Sequence, residues 1–107
     1  MIKQVFYSEN PESIKAFKSK FPDMTTFDDQ TRLIDFLRSS PIDQLILELG
    51  KGPNNAISVL IDLSQREIRV ASKLLLTNQP LDDLSLRLTQ LLQVEVIKKS
   101  DFIRKQA

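Results

Sequence analysis

With no cysteine and no histidine in 107 residues, this chain can do chemistry only with carboxylates, hydroxyls and lysines. Thiolate and imidazole metal sites, catalytic thiols, disulfide staples and every Ser-His or Cys-His mechanism are excluded. The groups that remain stand where short apolar runs end. Ser8 and Glu9 follow the run from Ile2 to Tyr7, Glu48 follows Leu45-Ile46-Leu47, Thr77 follows Leu74-Leu75-Leu76, and Lys98-Lys99 follow Val94 to Ile97. Both glycines lie in Gly50-Lys51-Gly52-Pro53-Asn54-Asn55, directly after the second of these segments. Loops so placed border the binding crevice of an open α/β sheet. Neither G-x-G-x-x-G nor G-x-x-x-x-G-K-[ST] occurs, so a phosphate-cradling loop is absent and a nucleotide-binding reading has no support.

The elements that must position these groups can be read from composition and periodicity. At 107 residues, 41% hydrophobic and 27% charged, the chain is expected to be one small soluble domain over 1–107. Fifteen basic against fourteen acidic residues leave a net charge of +1, too little to draw it broadly onto nucleic acid or anionic lipid. No apolar run approaches the ~18 residues of a membrane span, and Met1-Ile2-Lys3-Gln4 enters the first apolar stretch without a cleavage signature, so a cytoplasmic location is expected.

Ile2 to Tyr7 reads as a strand, and Asn10-Pro11 as cap and first turn of a helix that carries Ile14, Phe17 and Phe21 at helical spacing. Pro22-Asp23 ends it. Met24 to Phe27 is β-prone, and Asp28-Asp29 opens a helix bearing Leu33, Phe36 and Leu37 inward. After Ser39-Ser40-Pro41, Leu45-Ile46-Leu47 has the continuous apolar character of a central strand buried on both faces. Residues 56–70 carry two patterns: Ile57, Leu60, Ile61 and Ile68 make a helical stripe, while Ile57, Val59, Ile61 and Leu63 alternate with period two. Helix is favoured, because a hairpin turn at Ser64-Gln65-Arg66-Glu67 would lack Gly, Asn or Asp. Lys73 to Thr77 is another buried strand. Pro80, Asp82 and Asp83 open a helix whose Leu84, Leu88, Leu91 and Leu92 are expected to face the core; Val94 to Ile97 is a last strand, and Ser100 to Ala107 can make about two helical turns. Five alternations of strand and helix, joined by right-handed crossovers, give a three-layer αβα sandwich around a parallel sheet.

This organisation resembles the receiver domain of bacterial response regulators, a doubly wound, flavodoxin-like fold with five parallel strands in the order 2-1-3-4-5. In that family a pair of acids after strand one holds a divalent metal; here the pair corresponds to Ser8 and Glu9. The phosphate-accepting aspartate after strand three corresponds to Glu48, in the run Asp43-Gln44-Leu45-Ile46-Leu47-Glu48. The Thr or Ser ending strand four corresponds to Thr77, and the lysine ending strand five to Lys99, with the family's spacing between the two. Phe27 to Leu37 also looks like the second strand and helix, so the resemblance covers nearly the whole chain. Departures are Ser8, Glu48, Ser100 where proline is usual, Leu92-Gln93 where Gly-Ala is usual, and the short last helix.

What the resemblance implies is a pseudo-receiver. Phosphoryl transfer to a carboxylate needs a divalent cation to bring two anions together. Loss of one acid at position 8 weakens such a site. Lengthening the acceptor by one methylene moves its oxygen by roughly 1.5 Å, and misplacement on that scale can cost ~100-fold in rate. The expected function is therefore a phosphorylation-independent interaction or oligomerisation module in bacterial signalling or transcription regulation, with no catalysis and no cofactor. Two alternatives stand: a working receiver binding magnesium weakly at Glu9 and Glu48, and an adaptor of thioredoxin-like topology without redox activity, which requires the hairpin at 56–70. Glu48 either pairs with Lys99 across the sheet edge, imitating the phosphorylated state in part, or is an exposed strand-end carboxylate. Thr77 is either a switch residue or ordinary β-propensity, and Glu9 either a ligand or a first-turn carboxylate. The expected partner is a protein or a second copy, with no nucleic acid, membrane or small-molecule substrate; Lys98, Lys99, Arg104 and Lys105 lack the interleaved aromatics of single-strand binding. The short last helix is expected to expose Phe102 and Ile103.

Overall fold

The computed structural model describes residues 3–49, 55–78 and 80–106. Strand and helix alternate: β1 (Gln4–Tyr7), α1 (Pro11–Lys20), β2 (Thr25–Phe27), α2 (Gln30–Ser39), β3 (Gln44–Glu48), α3 (Asn55–Gln65), β4 (Ser72–Thr77), α4 (Asp83–Leu91), β5 (Glu95–Lys98) and α5 (Lys99–Gln106). The strands form one parallel sheet in the order β2-β1-β3-β4-β5, the order expected. The glycine-containing segment 50–54 lies outside the described residues.

Period-two alternation divides the buried residues of the central strands between two cores. Val5, Tyr7, Leu45, Leu47 and Leu75 join residues of α2 and α3 on one face, and Phe6, Ile46, Leu74 and Leu76 join Phe17 of α1 and Phe102 of α5 on the other. The helices that cover these faces start on local signals. Asn10 Oδ1 accepts the Glu12 N–H at 3.0 Å with Pro11 in the first turn, and Asp29 Oδ1 accepts the N–H groups of Thr31 and Arg32 at 2.8 and 3.3 Å. Asn10→Ala should cost about 1 kcal/mol in urea denaturation, the usual value of a lost N-cap. A cost near zero would mean that Pro11 alone sets the start of α1.

Residues 55–65 are helix, which removes the hairpin and with it the thioredoxin-like topology. Ala56, Ile57, Val59, Leu60 and Leu63 are buried along one face. The helix closes in a Schellman motif: Ile68 N–H bonds Leu63 O at 3.0 Å, Glu67 N–H bonds Ser64 O at 3.2 Å, and Glu67 takes φ 57°. The same motif ends α4, with Gln93 at φ 58° and Val94 N–H on Thr89 O at 2.8 Å. Both left-handed positions are held by residues other than glycine, a conformation that favours glycine.

Three expectations about packing are corrected. In α2, Ile34 is buried with Leu33 and Leu37, whereas Phe36 is only half-buried and lies tilted against Phe27 at 5.1 Å. In α4, the face turned to the sheet carries Ser85 and Thr89; Leu84 and Leu91 are 71% and 78% exposed, and Leu88 and Leu92 are half-buried at the margin of the core. The Thr89 hydroxyl meets its hydrogen-bonding need within the helix, on Leu86 O at 2.7 Å, which lets a polar residue sit there. In α5, Phe102 is 3% exposed, because its ring packs between those of Phe17 and Phe21 at 6.1 and 6.2 Å. The side chain of Ile103 lies outside the described ones.

Candidate functional site

All the chemistry-bearing positions lie at the C-terminal ends of the strands, but only some come into contact. β1 and β3 pair in register, Tyr7 with Leu47, which sets the next residues, Ser8 just past β1 and Glu48 at the end of β3, side by side. The Ser8 hydroxyl donates to Glu48 Oε1 at 2.9 Å and accepts the Asn10 N–H at 3.1 Å. Lys99, the first residue of α5, brings its Nζ to 2.6 Å from Glu48 Oε2 and also donates to the Ser13 hydroxyl at 3.2 Å. Glu48 is therefore no exposed strand-end carboxylate: its side chain is 7% exposed and that of Lys99 25%.

Ser13 was not singled out in the sequence. It lies one turn ahead of Phe17 on α1, on the same inward face, and both are buried. A hydroxyl on an apolar stripe was the available signal, because a buried polar group must find a partner elsewhere in the fold.

Glu9 is turned elsewhere. It accepts the Tyr7 hydroxyl at 3.1 Å. Burial first, and then the Glu9 carboxylate, hold the Tyr7 phenol well above its ordinary pKa, so this hydroxyl stays a donor. Thr77 is buried at the end of β4, opposite Lys98 in register, and with Asn78, Pro80 and Lys98 it lines a cavity of about 300 Å³. Of the four C-terminal cations, Lys99 is turned inward to Glu48, Lys98 and Arg104 are exposed, and the side chain of Lys105 lies outside the described ones.

This donor set does not fit magnesium. A hard divalent ion needs several oxygen ligands in near-octahedral array. Here Glu48 Oε1 is taken by a hydroxyl, Oε2 already faces an ammonium, and Glu9 is bonded to Tyr7. Among the described residues no cluster of three or more acidic, His or Cys side chains could hold a metal. Charge neutralisation at Glu48 is instead supplied from within the chain by Lys99.

No family model and no curated protein matches the sequence. Solved structures do match. The signal receiver domain of an HD domain-containing protein from Pseudomonas fluorescens Pf-5 aligns over 99% of this chain and 93% of its own, at TM-score 0.72 and 14% identity. The chemotaxis protein CheY4 of Vibrio cholerae aligns over 98% and 95%, at TM-score 0.74 and 10% identity. The isolated REC domain of RcsB from Salmonella enterica serovar Typhimurium, solved in the presence of the phosphomimetic BeF3-, aligns over 92% and 78%, at TM-score 0.64 and 17% identity. Among the described residues no helix is long and apolar enough to cross a membrane. With a five-stranded parallel sheet in the order 2-1-3-4-5 and receiver domains as its structural neighbours, the chain has the receiver fold.

Proposed function

We propose that this chain is a receiver-fold interaction module of bacterial signalling or transcription regulation that works without phosphorylation. The observation that carries the reading is the Lys99 ammonium, 2.6 Å from the buried Glu48 carboxylate, the residue that the resemblance sets in correspondence with a phosphoacceptor. In a phosphorylated receiver a lysine at this place meets an anion added from outside; here the anion it meets is a side chain of the protein itself, so the contact forms without a phosphoryl group. Ser8 strengthens the effect. A second acid at position 8 would repel Glu48 and call for a metal, whereas the Ser8 hydroxyl donates to it. No catalytic step is assigned to the domain, and its output is contact with another protein.

An amide NMR titration with magnesium and then beryllofluoride tests this reading. Wild-type protein is expected to show no saturable shifts at Ser8, Glu9, Glu48, Thr77 and Lys99. The Ser8→Asp, Glu48→Asp double variant, which shortens the acceptor and restores the acid pair, is expected to show them. Saturable shifts in the wild type would establish the magnesium-dependent reading and overturn this one.

A further inference from the structure

A cleft of about 680 Å³ opens at the N-terminal edge of the sheet, the edge opposite Glu48 and Lys99, where α1 ends beside the start of β1. Its apolar wall is the turn after α1. Phe21 packs against Phe17 at 5.6 Å and Phe102 at 6.2 Å, Met24 is buried, and the Met24 N–H bonds Phe21 O at 3.0 Å across Pro22, so the core holds this wall in place. The sheet brings polar groups to the same edge. Gln4, Gln44 and Ser72 form one row across β1, β3 and β4. Gln4 Nε2 donates to Gln44 Oε1 at 2.6 Å, and Gln44 Nε2 donates to the Ser72 hydroxyl at 3.5 Å. That direction leaves Gln4, which lines the cleft, with its carbonyl oxygen as an acceptor that has no partner among the described residues.

We propose that this cleft binds a free α-amino acid with an apolar side chain. The argument is charge complementarity. Lys20 and Asp23 both line the cleft, are exposed, and form no ion pair with each other or with any other described residue. Lys3 also lines it, but its ammonium stands 5.3 Å from the centre of the Phe36 ring, which belongs to the other core. One cation and one carboxylate are left. A ligand carrying both charges satisfies both, whereas a ligand with a single charge leaves the like charge facing it. The end of α1 adds to the negative side. Pro22 has no N–H to offer the Lys18 carbonyl four residues back, and the partial negative charge of a helix C-terminus suits an ammonium. Gln4 and Asp23 then accept from the ligand's ammonium, Lys20 and the Thr25 hydroxyl donate to its carboxylate, and Phe21, Pro22 and Met24 seat its side chain. The volume lies within the ~300–1,000 Å³ of small-molecule sites. Because both charged groups are exposed, each ion pair counts for little, and the affinity is weak, on the order of 1 mM.

The site stands apart from the function proposed above: the cleft shares no residue with Ser8, Ser13, Glu48 or Lys99, so the magnesium and beryllofluoride result does not bear on it. Amide NMR titration of the chain with L-phenylalanine to about 50 mM, well above the expected dissociation constant, is expected to give saturable shifts at Gln4, Lys20, Phe21, Asp23 and Thr25. Ser8, Glu48 and Lys99 should not move. 3-Phenylpropanoate, which lacks the ammonium, and phenethylamine, which lacks the carboxylate, should each bind about threefold more weakly or worse. Glycine, which lacks the apolar side chain, should bind at least about tenfold more weakly. Lys20→Gln and Asp23→Asn, both at exposed positions, should each weaken phenylalanine by about threefold and leave the amide spectrum otherwise unchanged. The absence of saturable shifts, or shifts centred away from the cleft, would overturn the proposal. So would glycine or either singly charged analogue binding as tightly as phenylalanine, or the two variants binding it as the wild type does.

Discussion

Lys99→Met is expected to destabilise the domain by about 3 kcal/mol, the low end of the range for stripping one partner from a buried ion pair. Methionine keeps most of the apolar stem that lysine packs with, so the loss reports the charge. The Glu48 side chain, 7% exposed, would be left with Ser8 as its partner on one oxygen and none described on the other. The quarter of Lys99 still open to solvent sets the estimate at the low end, because water can reach the space the ammonium leaves. Urea denaturation of Lys99→Met, Glu48→Gln and the double variant separates the contributions. The double variant should recover most of the loss, since it removes the uncompensated anion as well. A cost below ~1 kcal/mol for Lys99→Met, the value of an exposed ion pair, would show that the contact holds nothing together.

Phe17→Ala should cost about 4 kcal/mol, as for a fully buried aromatic cut back to a methyl group. Phe17 lies parallel to Phe6 at 3.8 Å between ring centroids, and meets Phe21 at 5.6 Å and Phe102 at 6.1 Å. It is the shared neighbour of β1, the end of α1 and α5, and it stands one turn from Ser13, the second anchor of Lys99. Its loss therefore loosens the hydrophobic seat of α5 and the polar site together. Against a total stability of ~5–15 kcal/mol for a domain of this kind, much of the folded population is at risk. Denaturant midpoints measure the cost, and amide exchange in α5 should quicken more than in α3. A cost under ~1.5 kcal/mol, or unchanged protection of α5, would place the weight of that face elsewhere.

Local features of the chain determined the succession of elements. Asn10-Pro11, Asp29 and Asp82 start helices through side-chain bonds that reach only two or three residues, and the apolar runs at Leu45 to Leu47 and Leu74 to Leu76 make buried strands wherever they lie in the sheet. Such signals act over one helical turn or one strand pleat and are therefore visible in sequence. The resemblance added the strand order and the short list containing Ser8, Glu48 and Lys99. What only the tertiary structure decided is which of those groups touch. Glu48 meets Lys99, and Lys99 meets Ser13 across 86 positions, because parallel pairing stacks the strand ends at one edge and α5 begins directly after β5. The rotation of α4 was likewise beyond local reading. Its leucine stripe satisfies the period of an inward face, yet Ser85 and Thr89 are the residues turned in. Periodicity states that a helix has an apolar side; the sheet, the cap and the closing turn, which come from separate parts of the chain, decide where that side points.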